Sequence, residues 1–156
     1  MAIEINKKAP DFVLPDQDSN KHKLSDYKGQ WVLLYFYPKD DTPGCTTEAC
    51  TLRDNLPTFT KIKAKIFGIS VDSVASHKKF AEKYKLPFTL LADEDKKVVE
   101  KYGVWQEKSM YGRKYMGTVR NSYLVNPDGK IAKIYEKVKP AEHATQVLAD
   151  LTTLTK

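Results

Sequence analysis

The chain has 156 residues, 41% of them hydrophobic and 29% charged, enough to fill one core and still dissolve. Its longest apolar run, Trp31–Tyr37, falls far short of the roughly 20 residues a membrane-spanning helix needs, and residues 1–12 carry no secretory apolar stretch; a cytoplasmic protein with no membrane attachment is expected. The net charge is +6, but only Arg53, Arg113 and Arg120 are arginines and the lysines are scattered, so no specific nucleic-acid partner is expected.

Residues 9–30 are rich in turn formers, and a short hairpin is expected around Phe12–Leu14 and His22–Leu24. Trp31–Tyr37 is apolar without alternation, which suits a strand buried on both faces of a parallel sheet. Pro38 stops that strand. The polar loop Lys39-Asp40-Asp41 leads into Thr42-Pro43-Gly44-Cys45, where Thr as N-cap and Pro at the first helical position open a helix. This helix carries Glu48, Ala49, Leu52 and Leu56, and Pro57 is expected to break or kink it.

Ile66–Val71 reads as a second buried strand. His77, Phe80, Ala81 and Tyr84 share one helical face. Leu90–Ala92 is a short strand, and Val98, Val99 and Tyr102 mark a short helix opened by Asp93 or Asp95. Residues 103–119 read as irregular. Asn121–Val125 and Ile131–Val138 pair across the turn Asn126–Gly129, and a last helix begins near Pro140. The alternation predicts an α/β fold with a central mixed β-sheet, helices on both faces and an N-terminal hairpin extension, thioredoxin-like, as one domain over residues 1–156.

Cys45 and Cys50 are the only cysteines. With His22, His77 and His143 scattered and no C-x-x-C, they do not form a zinc set, and no metal or other cofactor is expected. Two buried small hydrophobes are the plain alternative. The position of Cys45 argues otherwise. It falls in the first helical turn, where free N–H groups and the helix dipole stabilise a thiolate. Gly44 allows a substrate close to the backbone, and the polar loop predicts an accessible thiol. An accessible thiolate with a second thiol nearby is the pattern of a redox cysteine and its partner. In an ideal helix, residues five apart have Cα atoms about 8.7 Å apart, beyond the roughly 7 Å limit for a disulfide. Bonding of Cys45 to Cys50 would therefore require residues 43–50 to unwind.

Arg120, at the start of a buried strand in a chain that otherwise prefers Lys, either holds a thiolate and an incoming oxygen with its fork or makes a strand-end ion pair. The stretch Pro38-x-x-x-Thr42-Pro43-Gly44-Cys45-Thr46-x-Glu48 resembles the peroxiredoxin signature, in the form of the bacterioferritin comigratory protein (PrxQ) subfamily. Ala9–Phe12, Tyr84–Phe88, Tyr102–Val104 and Tyr111–Gly117 extend the resemblance over most of the chain. Val71 and Asn121 depart from it, but neither is among the residues of the expected chemistry.

The resemblance implies a thiol peroxidase acting on hydrogen peroxide and organic hydroperoxides. It implies Cys45 as peroxidatic thiol and Cys50 as resolving thiol in an intramolecular disulfide. Thr42 would hydrogen-bond the peroxide through its hydroxyl, Arg120 would stabilise the thiolate and the transition state, Pro38 would shield the pocket and Glu48 would orient Arg120. It also implies a monomer recycled by a thioredoxin-type reductant. Two other readings compete: a thiol–disulfide oxidoreductase on the same fold, and a basic binding module with incidental cysteines.

Overall fold

The computed structural model describes residues 3–155. An N-terminal hairpin of β1 (Val13–Pro15) and β2 (Lys21–Lys23) precedes β3 (Trp31–Phe36), α1 (Pro43–Lys61), β4 (Ala64–Ser70), α2 (Val74–Tyr84) and β5 (Thr89–Ala92). Then follow α3 (Lys97–Lys101), β6 (Trp105–Met110), β7 (Arg113–Thr118), β8 (Ser122–Val125), β9 (Ile131–Tyr135) and α4 (His143–Leu154). Five strands form the central sheet in the order β5-β4-β3-β8-β9. β3, β4 and β5 run parallel; β8 pairs antiparallel with both β3 and β9.

The period-2 geometry of β3 sorts the core into two layers. Leu33, Tyr35 and Tyr37 pack with Ala49, Leu52 and Phe59 of α1, Phe80 of α2, and Val147 and Leu151 of α4. Val32, Leu34 and Phe36 face the other way, onto Phe12, Leu14 and Leu24 of the N-terminal segment and Val98 and Val99 of α3. Both faces of β3 are therefore covered, which is why its sequence is an unbroken apolar run. This is the expected α/β arrangement, and no helix among the described residues is long and apolar enough to cross a membrane.

Three sequence expectations need correction. α1 does not stop at Pro57 but continues to Lys61; burial of Leu52 and Phe59 on the same face outweighs the lost helical hydrogen bond. Residues 103–119 are not irregular: β6 and β7 form a two-stranded ribbon in the register Met110↔Arg113 through Trp105↔Thr118. Its side chains are mostly exposed, so no apolar alternation marked it. Its turn, Tyr111-Gly112, has positive φ at both residues (52° and 78°), as a tight two-residue hairpin requires. β9 ends at Tyr135, and α4 begins at His143, three residues past Pro140.

Candidate active site

α1 starts immediately beyond the carboxyl end of β3, where parallel sheets place their sites. Thr42 is extended (φ −97°, ψ 155°) and Pro43 takes the first helical position. The N–H of Thr46 makes the first intrahelical bond, to the Thr42 carbonyl at 2.8 Å. The N–H groups of Gly44 and Cys45 come before it and are the helix's free donors. Thr42 is the N-cap by position, but its hydroxyl makes no capping bond; it donates instead to the Lys39 carbonyl at 2.9 Å. Pro38 sits half-buried one residue past Tyr37, at the mouth of the same loop.

Cys45 is 1% exposed, not open to solvent as the polar loop predicted. The inner stripe of α1 explains this: Cys45, Glu48, Ala49 and Leu52 recur at helical spacing against the sheet and are all buried. Arg120 lies over this stripe and reaches solvent with 19% of its side chain. Its Nη2 donates to Cys45 Sγ at 3.3 Å and its Nη1 to Glu48 Oε1 at 2.8 Å. One prong of the fork thus makes the expected ion pair, with Glu48, and the other reaches the Cys45 sulfur. Burial alone would lower the Arg120 pKa; Cys45 and Glu48 outweigh it and leave the pKa above its ordinary value. Burial raises Glu48 to about 7, against the pull of Arg120. Gly44 gives the guanidinium room here, since a Cβ would meet Arg120 Nη2 at 3.0 Å and push it aside by a few tenths of an ångström.

Cys50 stands one and a half turns further along α1, partly exposed, and both thiols are free. The structure brings Cys45, Glu48, Gly44 and Arg120 together, places Thr42 at the helix start, and leaves Cys50 apart.

Residues 5–134 match the AhpC/TSA family. The chain belongs to that family. It is similar to Peroxiredoxin Bcp of Bacillus subtilis, 46% identical over 156 residues, covering 100% of this chain and 99% of that protein. Peroxiredoxin Bcp of Escherichia coli K12 is 49% identical over 90% of each chain. Among solved structures, a Cys-to-Ser variant of Xylella fastidiosa PrxQ superposes with a TM-score of 0.94 at 35% identity, over 99% of this chain and 98% of that one. The Xanthomonas campestris bacterioferritin comigratory protein, a protein with alkyl peroxide reduction activity, gives 0.88 at 40% identity over 93% and 92%. These relatives place the chain among the Bcp/PrxQ peroxiredoxins, thiol-dependent peroxidases with a thioredoxin-like fold.

This peroxiredoxin also carries polar residues that the sequence reading left unassigned. Asp40 is buried in the loop before α1. Its carboxylate accepts from the Tyr37 hydroxyl at 2.6 Å, from Ser76 at 2.8 Å and from His77 Nδ1 at 2.6 Å. His77 Nε2 meets the Leu91 carbonyl at 2.9 Å, and Asp72 accepts the Asp40 N–H at 2.9 Å. This network ties the loop to α2, β4 and β5. Asp40, Asp72 and His77 bring possible metal-ligand atoms within 4.8 Å of one another, but those atoms are already engaged by protein partners. By spacing His77 is one more member of an apolar helical face; only its pairing with Asp40, 37 residues away, distinguishes it.

Tyr35, by sequence pattern a core residue, also borders the site. Its phenol is buried, with its pKa raised well above the ordinary value by burial and then by Glu48 and Cys45. Gly68 on β4 makes room for the ring, because a Cβ there would meet it at 2.6 Å. His143 packs behind the site, its Nε2 2.8 Å from the Ser122 hydroxyl, and burial with the repulsion of Arg120 lowers it to about 4.

Proposed function

We propose that Cys45 is the peroxidatic thiol of this peroxidase and Cys50 its resolving thiol, within a single domain spanning residues 1–156. The observation that carries the reading is the Arg120 fork, with one prong on Cys45 Sγ and the other on Glu48. The Cys45 thiolate attacks the near oxygen of hydrogen peroxide or an organic hydroperoxide in line with the O–O bond. An S–O bond forms, the O–O bond breaks, and hydroxide or alkoxide leaves.

Arg120 and the free N–H groups of Gly44 and Cys45 stabilise the charge that develops on the departing oxygen. Thr42 contributes as an acceptor: its own hydrogen is held by Lys39, so its oxygen receives the peroxide O–H. Pro38 lines the mouth and Glu48 fixes the guanidinium. The alkyl peroxide reduction activity of the Xanthomonas relative supports organic hydroperoxides as substrates.

The resulting sulfenic acid is attacked by Cys50, with loss of water. Both cysteines lie in one continuous helix, where ideal geometry holds the Cα atoms about 8.7 Å apart. Resolution therefore unwinds residues 43–50 and draws Cys45, Glu48 and Ala49 out of the core. A thioredoxin-type dithiol restores both thiols by exchange. Because the resolving thiol lies in the same chain, the cycle needs no second subunit, which supports a monomer as the working form.

The test is rapid mixing of reduced protein with one equivalent of hydrogen peroxide, followed by Trp fluorescence and intact mass. The expected result is fast loss of both thiols at monomer mass. Cys45→Ser should abolish the reaction, and Cys50→Ser should accumulate sulfenic acid. Slow oxidation of wild type with fast disulfide exchange would instead favour the oxidoreductase reading.

A further inference from the structure

Arg120 faces two acids at once. Its Nη1 holds Glu48 Oε1 at 2.8 Å and its Nη2 holds Cys45 Sγ at 3.3 Å. Glu48 is 0% exposed and Cys45 1%, so water screens neither. One guanidinium balances one anion; a second buried anion beside it is strongly disfavoured.

The other groups facing the site do not supply the missing charge. From β3, Tyr35 stays a neutral phenol, raised by burial and then by Glu48 and Cys45. From α4, His143 is neutral at neutral pH, held at about 4 by burial and by Arg120. From β6, Lys108 is lowered by burial and by Arg120, against the pull of Cys45; it is only half-buried, and solvent screens its charge. In the loop before α1, Asp40 is paired with His77. Glu48 Oε2 has no hydrogen-bond partner among the described residues, and a bare buried oxygen is tolerated better on a neutral acid than on a carboxylate.

We propose that Cys45 and Glu48 hold one proton between them across Arg120, so that Glu48 is protonated while Cys45 is a thiolate and gives up its proton as Cys45 is oxidised. This inference rests on the reading of Cys45 as the peroxidatic thiol. The carboxyl value of about 7, set by burial against Arg120, places Glu48 where such an exchange is possible at neutral pH.

The step balances. Cys45 thiolate, Glu48 carboxylic acid and hydrogen peroxide become Cys45 sulfenic acid, Glu48 carboxylate and water. Sulfur is oxidised and the peroxide reduced; the departing hydroxide gains one proton and Glu48 loses one. Arg120 is then left with Glu48 as its single anion, and the charge of the site is unchanged through the step. Glu48 is thus a proton store as well as the residue that positions Arg120.

The experiment is stopped-flow oxidation of the reduced Cys50→Ser protein by hydrogen peroxide in weakly buffered solution near neutral pH. A pH indicator reports protons while a thiol titration counts oxidised Cys45. The expected result is close to no proton taken up per Cys45 oxidised, against one when Glu48→Gln is added. Uptake of one proton with Glu48 intact overturns the inference alone; failure of Cys45 to oxidise overturns it together with the proposed function.

Should the Glu48→Gln protein fail to fold, infrared difference spectra of the Glu48-containing protein decide. Oxidation should remove a protonated-carboxyl band, and Cys45→Ser treated identically should show no such loss. A spectrum without that band in the reduced protein, or an unchanged loss in Cys45→Ser, overturns the proposal.

Discussion

A Cβ atom at position 44 would stand 3.0 Å from Nη2 of Arg120, so the glycine is what allows the guanidinium to lie against the first turn of α1. Its φ is not in the left-handed region, so alanine fits the backbone and gains up to about 1 kcal/mol of helix propensity. Gly44→Ala should therefore leave the melting temperature equal or raised. It should slow Cys45 oxidation about tenfold, roughly 1.4 kcal/mol of transition-state stabilisation. Parallel thermal melts and stopped-flow oxidation check both halves.

Arg120→Lys keeps the charge but cannot reach Glu48 Oε1 and Cys45 Sγ with two separate donors. The peroxide step should fall on the order of 100-fold, the effect of losing one preorganised donor to a developing oxyanion. A near-wild-type rate constant in rapid-mixing experiments would remove Arg120 from the site.

The two perturbed acids behind the thiol give opposite pH dependences. Glu48 binds its proton up to about pH 7 in the folded protein but only to 4.5 as a free side chain. The folded state holds more protons in that window, so this contribution to stability is lost as pH rises through it, by about 3 kcal/mol in all. His143 is lowered from 6.5 to about 4, so the folded state holds fewer protons there, and its contribution is lost as pH falls from 6.5 toward 4. The two nearly cancel between 4.5 and 6.5. Chemical denaturation of the reduced protein should show a flat stability there and a decline above it. In Glu48→Gln the decline should disappear.

His77→Ala would leave the Asp40 carboxylate buried without its partner 2.6 Å away. The expected loss is about 1–3 kcal/mol, the cost of leaving a buried acceptor without its hydrogen-bond partner, read as a shift in denaturation midpoint. Asp40→Asn keeps polar contacts to Tyr37 and Ser76 without a buried charge, and should cost less than His77→Ala.

At the tip of the β6–β7 ribbon, Tyr111 is 98% exposed with φ of 52°. A bulky residue is poorly suited to that conformation, whereas Asn is well suited. Tyr111→Asn should raise stability by up to about 1 kcal/mol and leave the peroxide rate unchanged, as melts and kinetics on one preparation would show.

The central strands, the Cys45-bearing helix start and the late hairpin were legible because burial on two faces, a Thr-Pro start and an Asn-Pro-Asp-Gly turn each leave a local pattern. The β6–β7 ribbon was not, because exposed strands have no apolar period and Tyr-Gly is an unusual turn pair. The candidate residues Thr42, Gly44, Cys45 and Glu48 lie within seven positions of chain, and helical spacing relates them without any knowledge of the rest.

What sequence alone determined is the local chemistry: a cysteine in the first turn of a helix, a glycine before it, a second thiol too far along the same helix to bond. Only the tertiary structure decided that Cys45 is buried, that Arg120 crosses 75 residues of chain to reach its sulfur, and that Asp40 closes on His77. Those pairings depend on the sheet order β5-β4-β3-β8-β9. It sets β8 beside β3 and so carries Arg120, two residues ahead of β8, over the start of α1. Periodicity reports which face of an element is apolar, but not which distant element that face will meet.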